Sequence, residues 1–456
     1  MSAWNDSSLL VAMQTAFGTP NATDSDYQAL LAEVPTVSFD TEITELELMS
    51  GQVGAAPERI VGRRSGTVSF SIPAEGLVTD YSPSNEDPGG VPVGNEVIPM
   101  WMNLLANAMG SNLSAATTNA NFIRGLHCST SQYTSGGMAS GTASSIVCDD
   151  ATASNKIDVG QLVVAALTDA STVPQIGWVK TKSSQTLTLF EAAVNNVNDA
   201  AANLYGTATA YMSSEVASTK ALTFRWTGPN AALCYELIDA ICESVKFSWN
   251  VGEVPTVEFS YKFYEFRINK LDGGLVVPDS YNRIPQIIGS VNGRVTMRDP
   301  ATGLSGTSTC GIESAAWEWS ATLRETKCHG SSTGIQSVEV INPRCKLTFS
   351  IPHDTADGVY DAAGVAANVG QHKWQSSLET GYRQSVGLYV GSQVGKIFSF
   401  LVPSGLITAG PQVADRDGTI AYTLEIEAAT YSADTTDTAE TSADSPLDSI
   451  ARVGLA

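Results

Sequence analysis

Phe70-Ser71-Ile72-Pro73 recurs as Phe349-Ser350-Ile351-Pro352, and the surroundings of the two copies recur with it. Through Thr67-Val68-Ser69-Phe70-Ser71-Ile72-Pro73 apolar and polar residues alternate. That period of two marks a half-buried strand, because successive side chains point to opposite faces of a sheet. Pro73 ends the ladder, having no N–H to donate. Upstream, Val37, Phe39, Thr41 and Ile43 alternate with Ser38, Asp40, Glu42 and Thr44, which predicts a partner strand with one apolar and one acidic face. In the later copy Trp319, Ala321, Leu323 and Glu325 stand where Phe39, Thr41, Ile43 and Glu45 stand in the earlier one. Phe39 lies 34 residues before Pro73, and Trp319 lies 33 before Pro352. Matching order at matching spacing predicts a tandem duplication, a feature that governs the reading of the whole fold.

Outward from these strands, Ala221-Leu222-Thr223-Phe224-Arg225-Trp226 reads as a further strand. Val245 to Trp249 and Val257 to Phe263 read as a hairpin around Asn250 to Pro255. Its weaker counterpart later in the chain runs from Lys396 to Pro403 and from Thr419 to Ile426. Asp80 to Pro99 is rich in Pro, Gly, Asn and Ser and includes Asp87-Pro88-Gly89-Gly90, so a long exposed loop is expected there. Met100, Trp101, Leu104, Leu105 and Ala108 follow at helical spacing, closed by Gly110, and predict a helix that caps the sheet. From Ser145 to Met212 a compact run of short strands around Ile157–Val164, Gly177–Thr181, Thr186–Phe190 and Ala208–Met212 reads as an inserted small β-barrel.

The two ends differ from the middle. Leu9 to Pro20 reads as a short helix or strand and Tyr27 to Ala32 as a weak helix, together an arm. Ser432 to Ala456 carries five acidic residues among Ser, Thr and Ala and would be ordered only by contact with a neighbour. The fold class is therefore mainly β, in two tandem β-sandwich or barrel modules with flanking helices and the inserted barrel. The organisation is an arm at 1–33, a first module at 34–125 and 216–280, the insertion at 126–215, a second module at 281–432 and an acidic tail at 433–456.

Bulk properties bound the function. At 456 residues, 43% hydrophobic and 16% charged, the chain is expected to fold around several cores. A formal net charge of −22 opposes tight phosphate-backbone binding, yet an acidic wall can let DNA pass without holding it. Met1 to Asp6 lacks the basic and apolar start of a secretory signal, and no apolar run approaches the roughly 20 residues of a membrane helix. The seven cysteines form no Cys-x-x-Cys pair and are expected to be reduced and mostly buried.

Chemistry finds little foothold. His127, His329, His353 and His372 are isolated, so neither a Ser/His/Asp set nor a metal site has a local signature. His353-Asp354 reads as a surface turn and Asp415-Arg416-Asp417-Gly418 as a hairpin turn, since the latter lacks the remaining positions of a calcium loop. Arg63-Arg64 reads as an ion-pair donor to a nearby carboxylate. The residues thus point to a structural protein, not an enzyme, with no catalytic residue, metal or cofactor.

The order of features resembles the phage tail tube family. The resemblance is carried by Val11-Ala12-Met13-Gln14-Thr15-Ala16-Phe17-Gly18-Thr19, the hairpin ending at Pro73, the Pro99-Met100-Trp101 helix, the inserted Val159-Gly160-Gln161-Leu162-Val163-Val164 region and the stretch from Pro403 to Ala428. It implies stacked rings lining a channel for DNA delivery, in a virion tail assembled in the host cytoplasm. It also implies tape measure, tail terminator and distal tail proteins as partners, and no membrane. Asp87, Pro88, Gly89 and Gly90 would then contact the next ring, and Asp40 and Glu42 would face the channel. Single-module tube proteins resemble one half of this chain and form six-fold rings, so a tandem chain would need three copies. Another tail component, a baseplate hub or tail-tip protein, would share the module. A secreted polysaccharide-active protein would instead show clustered aromatics beside a carboxylate pair.

Overall fold

The computed structural model describes residues 8–20, 27–30, 32–46, 58–76, 78–79, 92–93, 96–97, 99–109, 127–128, 138–142, 145–148, 160, 162–166, 175–189, 203–205, 208–212, 221–227, 234–269, 294–298, 305–308, 312–328, 334–352, 383–391, 396–416, 419–429 and 450–455. The first half opens with β1 (Ser8–Met13), β2 (Gln28–Leu30), β3 (Thr36–Leu46) and β4 (Glu58–Pro73). Three two-residue strands follow, β5 (Val78–Thr79), β6 (Pro92–Val93) and β7 (Glu96–Val97), then helix α1 (Met100–Met109). The middle holds β8 (His127–Cys128), β9 (Met138–Thr142), β10 (Ser145–Cys148), β11 (Leu162–Ala166), β12 (Gln175–Ser183), β13 (Thr186–Leu189), β14 (Asn203–Tyr205) and β15 (Ala208–Met212). The first half resumes with β16 (Leu222–Thr227), β17 (Cys234–Asn250), β18 (Thr256–Phe263) and β19 (Glu265–Asn269). The second half comprises β20 (Arg294–Arg298), β21 (Ser305–Ser308), β22 (Ser314–Lys327), β23 (Ile335–Pro352), β24 (Gln384–Val390), β25 (Phe398–Arg416), β26 (Thr419–Ala428) and β27 (Ala451–Leu455).

The chain is mainly β, and its two halves pair their strands in the same order. In the first, β3 pairs β4, β4 pairs β18, β18 pairs β17, β17 pairs β16, β16 pairs β1 and β1 pairs β2. In the second, β22 pairs β23, β23 pairs β26, β26 pairs β25, β25 pairs β24, β24 pairs β20 and β20 pairs β21. The registers correspond as well. Phe70 faces Phe259 and Ile72 faces Val257, while Phe349 faces Leu424 and Ile351 faces Tyr422. Phe39 faces Gly66 where Trp319 faces Cys345.

Irregularities correspond too. Glu33 N–H donates to Ser71 O at 2.8 Å and Glu313 N–H to Ser350 O at 3.1 Å, each at the entrance of the leading strand. Tyr264 N–H donates to Ile238 O and Ala429 N–H to Ser404 O where the hairpins turn their corners. A bulge lies between Leu222 and Phe224 on β16 and between Gln384 and Val386 on β24. Bulges tend to be retained because they re-aim a strand.

The halves do not form the separate cores expected from length. One buried cluster contains Val68, Phe70 and Tyr261 of the first half together with Trp317, Phe349 and Phe400 of the second. Stacking carries it across: Phe247 meets Phe398 at 4.2 Å between ring centres, and Trp317 meets Phe400 at 5.2 Å. Helix α1 seals this cluster, with every residue but Asn107 buried. Its Trp101 donates to Glu75 O at 3.0 Å and packs on Phe398 at 5.5 Å.

Several local expectations change. The described residues between Tyr27 and Ala32 hold no helix; Gln28–Leu30 is a strand, because pairing with β1 satisfies its backbone and overrides a weak propensity. β1 itself lies between β2 and β16. Within Asp80 to Pro99, β6 and β7 pair and β7 also pairs β5; Asp87, Pro88, Gly89 and Gly90 lie outside the described residues. The inserted region forms a six-stranded run in the order β14-β11-β12-β13-β10-β9, and no pairing among the described residues closes it into a barrel. β15, read as part of that barrel, instead pairs β8 and β27.

β27 corrects the reading of the C-terminal segment. Ala451–Leu455 is wholly buried between β15 and β25 of its own chain and needs no neighbour to order it. It also fastens the inserted region: Gly454 lies so close to Leu162 and Trp178 that a Cβ there would come within 2.7 Å of a Leu162 methyl. Trp178 Nε1 donates to Ser399 Oγ at 2.9 Å alongside. Cys148, Cys234, Cys242 and Cys345 are buried, and Cys328 is partly exposed. Burial pushes the thiols of Cys242 and Cys345 well above their ordinary range, which keeps them unreactive.

Candidate assembly surface

The two halves join through a strand pairing. β17 serves two groups of strands: Cys234 to Ile238 lies between β16 and β19, while Ser244 to Ser248 lies between β18 and β22. On the β22 side Ser244 faces Ser320, Val245 faces Trp319, Phe247 faces Trp317 and Asn250 faces Ser314. The junction leaves Trp317 and Trp319 each 1% exposed. Ion pairs span it as well, from Lys246 Nζ to Glu318 Oε1 at 3.6 Å and from Lys262 Nζ to Glu325 Oε1 at 3.2 Å. Such partly solvated pairs contribute at most ~1 kcal/mol each, so aromatic burial holds the halves together and the ion pairs set register.

Because this junction is a strand pairing, one sheet runs from β3 through β4, β18, β17, β22, β23 and β26 to the far part of β25. Its non-core face is polar. Ser38 and Thr67 hydroxyls lie 2.8 Å apart, and Ser69 donates to Ser260 at 3.2 Å. Glu258, Glu318, Glu425 and Glu427 alternate with core residues along their strands, as do Lys246, Lys262 and Lys346. Lys346 holds Glu425 at 2.7 Å, and that hydrogen bond, with one from Thr408 at 3.1 Å, keeps the carboxyl below its usual range. Asp40 and Glu42 sit on β3, exposed, and make no ion pair among the described residues. Arg64 lies over the Phe266 ring at 5.9 Å, a cation–π contact where an ion pair was expected, because β4 turns it toward that aromatic rim. Arg63 lies in β4, while His353 and Asp354 fall outside the described residues, as do Asp417 and Gly418, although Arg416 and Thr419 pair as the turn reading requires. No group of three His, Cys, Asp or Glu residues able to hold a metal occurs among the described residues.

The corner of β17 holds a carboxyl that sequence reading missed. Asp239 is fully buried at φ +58°, a left-handed conformation that Asp and Asn tolerate. Its Oδ1 accepts from Gly18 N–H at 2.7 Å. With its amide nitrogen turned toward this carboxylate, Gln14 donates to Oδ1 at 2.8 Å and accepts from Thr223 Oγ1 at 2.8 Å. Burial is the main cause that pushes Asp239 up to about 6. A carboxyl raised in the fold stabilises it fully below the unfolded value near 3.8, and this contribution is lost as pH rises through about 6. Asp239→Asn should therefore raise stability at pH 8 by on the order of 2 kcal/mol and have little effect at pH 4, as read by urea denaturation at both pH values. The positive φ of Asp239 marks this corner of β17.

Two edges of the long sheet stay open among the described residues. β3 pairs β4 alone, and the far part of β25 pairs β26 alone. Phe39 on β3 is 43% exposed, and Val34, just before the strand, is 49% exposed. No protein-family model matches the chain, and no curated protein is significantly similar to it.

Proposed function

We propose that the chain is a structural virion protein, the tail tube subunit of a long-tailed bacteriophage, built from two copies of one tube module and assembling into stacked rings that conduct DNA. The observation that carries this reading is the pairing of β17 with β22, by which the sheet of one half continues into that of the other. A ring wall needs that kind of contact, since strands continued across boundaries leave no exposed edge. The net charge of −22 suits a conduit, because carboxylates such as Asp40 and Glu42 on an inner face repel the phosphate backbone. Three chains would supply six modules to a ring.

Electron microscopy of the purified protein tests the proposal. Hollow tubes with three chains per ring are expected; dispersed particles, or six chains per ring, would count against it. The role of charge has its own test, with Asp40→Lys and Glu42→Lys combined in particles whose tails still assemble. DNA ejection should slow, and an unchanged rate would remove these carboxylates from the conduit.

A further inference from the structure

We infer that the open edge of β3 is the docking site for a second copy of this chain, and that the strand it receives is the far part of that copy's β25. The inference rests on reading the two halves as copies of one module, and does not require that the product be a tube. The internal junction supplies the template. β22 is the counterpart of β3, and in this chain its outer edge is filled by the second part of β17. The counterpart of that part of β17 is the far part of β25, whose outer edge is open among the described residues. Each chain thus carries one filled junction and the two unfilled halves of another.

Register follows residue by residue. Phe247 faces Val257 as Val413 faces Tyr422, and Lys246 faces Glu258 as Gln412 faces Thr423. Val257 and Tyr422 in turn face Ile72 and Ile351, which makes them counterparts. On the other strand, Phe39 facing Gly66 and Trp319 facing Cys345 set Val37 against Trp317 and Ser38 against Glu318. The pairs Phe247 with Trp317 and Lys246 with Glu318 therefore become Val413 with Val37 and Gln412 with Ser38 between chains. By that template the contact is antiparallel, with Val413 and Gln412 in the places of Phe247 and Lys246.

Exposure agrees with this assignment. Trp319, covered by its junction, is 1% exposed, whereas its counterpart Phe39 is 43% exposed. An unpaired strand edge flanked by exposed apolar side chains invites pairing with another chain. Because the donor and acceptor edges differ, the contact is heterologous and propagates until it closes on itself.

Cysteine cross-linking tests the register on the full-length protein. Ser38→Cys with Gln412→Cys places both thiols on the polar face of the same pair and should give intermolecular disulfides under mild oxidation, seen as a ladder or one closed oligomer on a non-reducing gel. Val37→Cys with Gln412→Cys puts the thiols on opposite faces and should cross-link at least tenfold more slowly. Equal rates for the two pairs, or a protein that stays monomeric by light scattering at every concentration reached, would overturn the assignment. Selective cross-linking without tubes in electron micrographs would leave this interface standing and remove the tail tube reading.

Discussion

Trp317→Ala should destabilise the whole described fold, first half included, by about 3–5 kcal/mol, the range for removing a fully buried large aromatic. The side chain is 1% exposed, stacks on Phe400 at 5.2 Å and stands opposite Phe247 across the junction. Phe247 stacks in turn on Phe398, which also bears Trp101 of the helix. A cavity at position 317 therefore loosens contacts made by β17, β22, β25 and α1 together. Chemical denaturation followed by tryptophan fluorescence and by circular dichroism should show one transition at lower denaturant. Two transitions, only one of them moved, would show that the halves unfold independently despite their shared core.

Deleting residues 451–456 should be at least as damaging. β27 is wholly buried, and Val453 and Leu455 alone account for roughly 1.5–3 kcal/mol each of apolar burial. Its removal also exposes an edge of β15 and an edge of β25 and takes away the Gly454 contact with Leu162 and Trp178. Most of the truncated protein should be insoluble on expression, and any soluble fraction should be cut by protease within the inserted region before elsewhere. A soluble, protease-resistant product would mean that β27 is held by the fold without holding it.

Legibility in the sequence followed the range of the forces involved. Alternation from Thr67 to Pro73 and from Val257 to Phe263 is local, and those strands, the hairpin between β17 and β18 and helix α1 could be read directly. So could the counterpart positions of Phe39 and Trp319, since a repeat is a comparison of the sequence with itself. Residues 28–30 and 451–455 were misread because partner strands elsewhere in the chain order them. The junction itself was invisible: nothing near Trp317 says that Phe247, 70 positions earlier, lies beside it. The two open edges were equally hidden, since an open edge is defined by which other described strands fail to reach it.

The inserted six-stranded run interrupts only the first half, between β4 and β16, and the second half has no counterpart of it among the described strands. Two identical polypeptides sharing a seam must accept every mutation in both partners at once. Here the two halves lie in one chain, so corresponding positions are free to differ: Gly66 faces Phe39 in one half, and Cys345 faces Trp319 in the other. A ring closed through the proposed contact between β3 and β25 would then alternate ornamented and plain positions around its circumference, with half the rotational symmetry that its strand pattern implies.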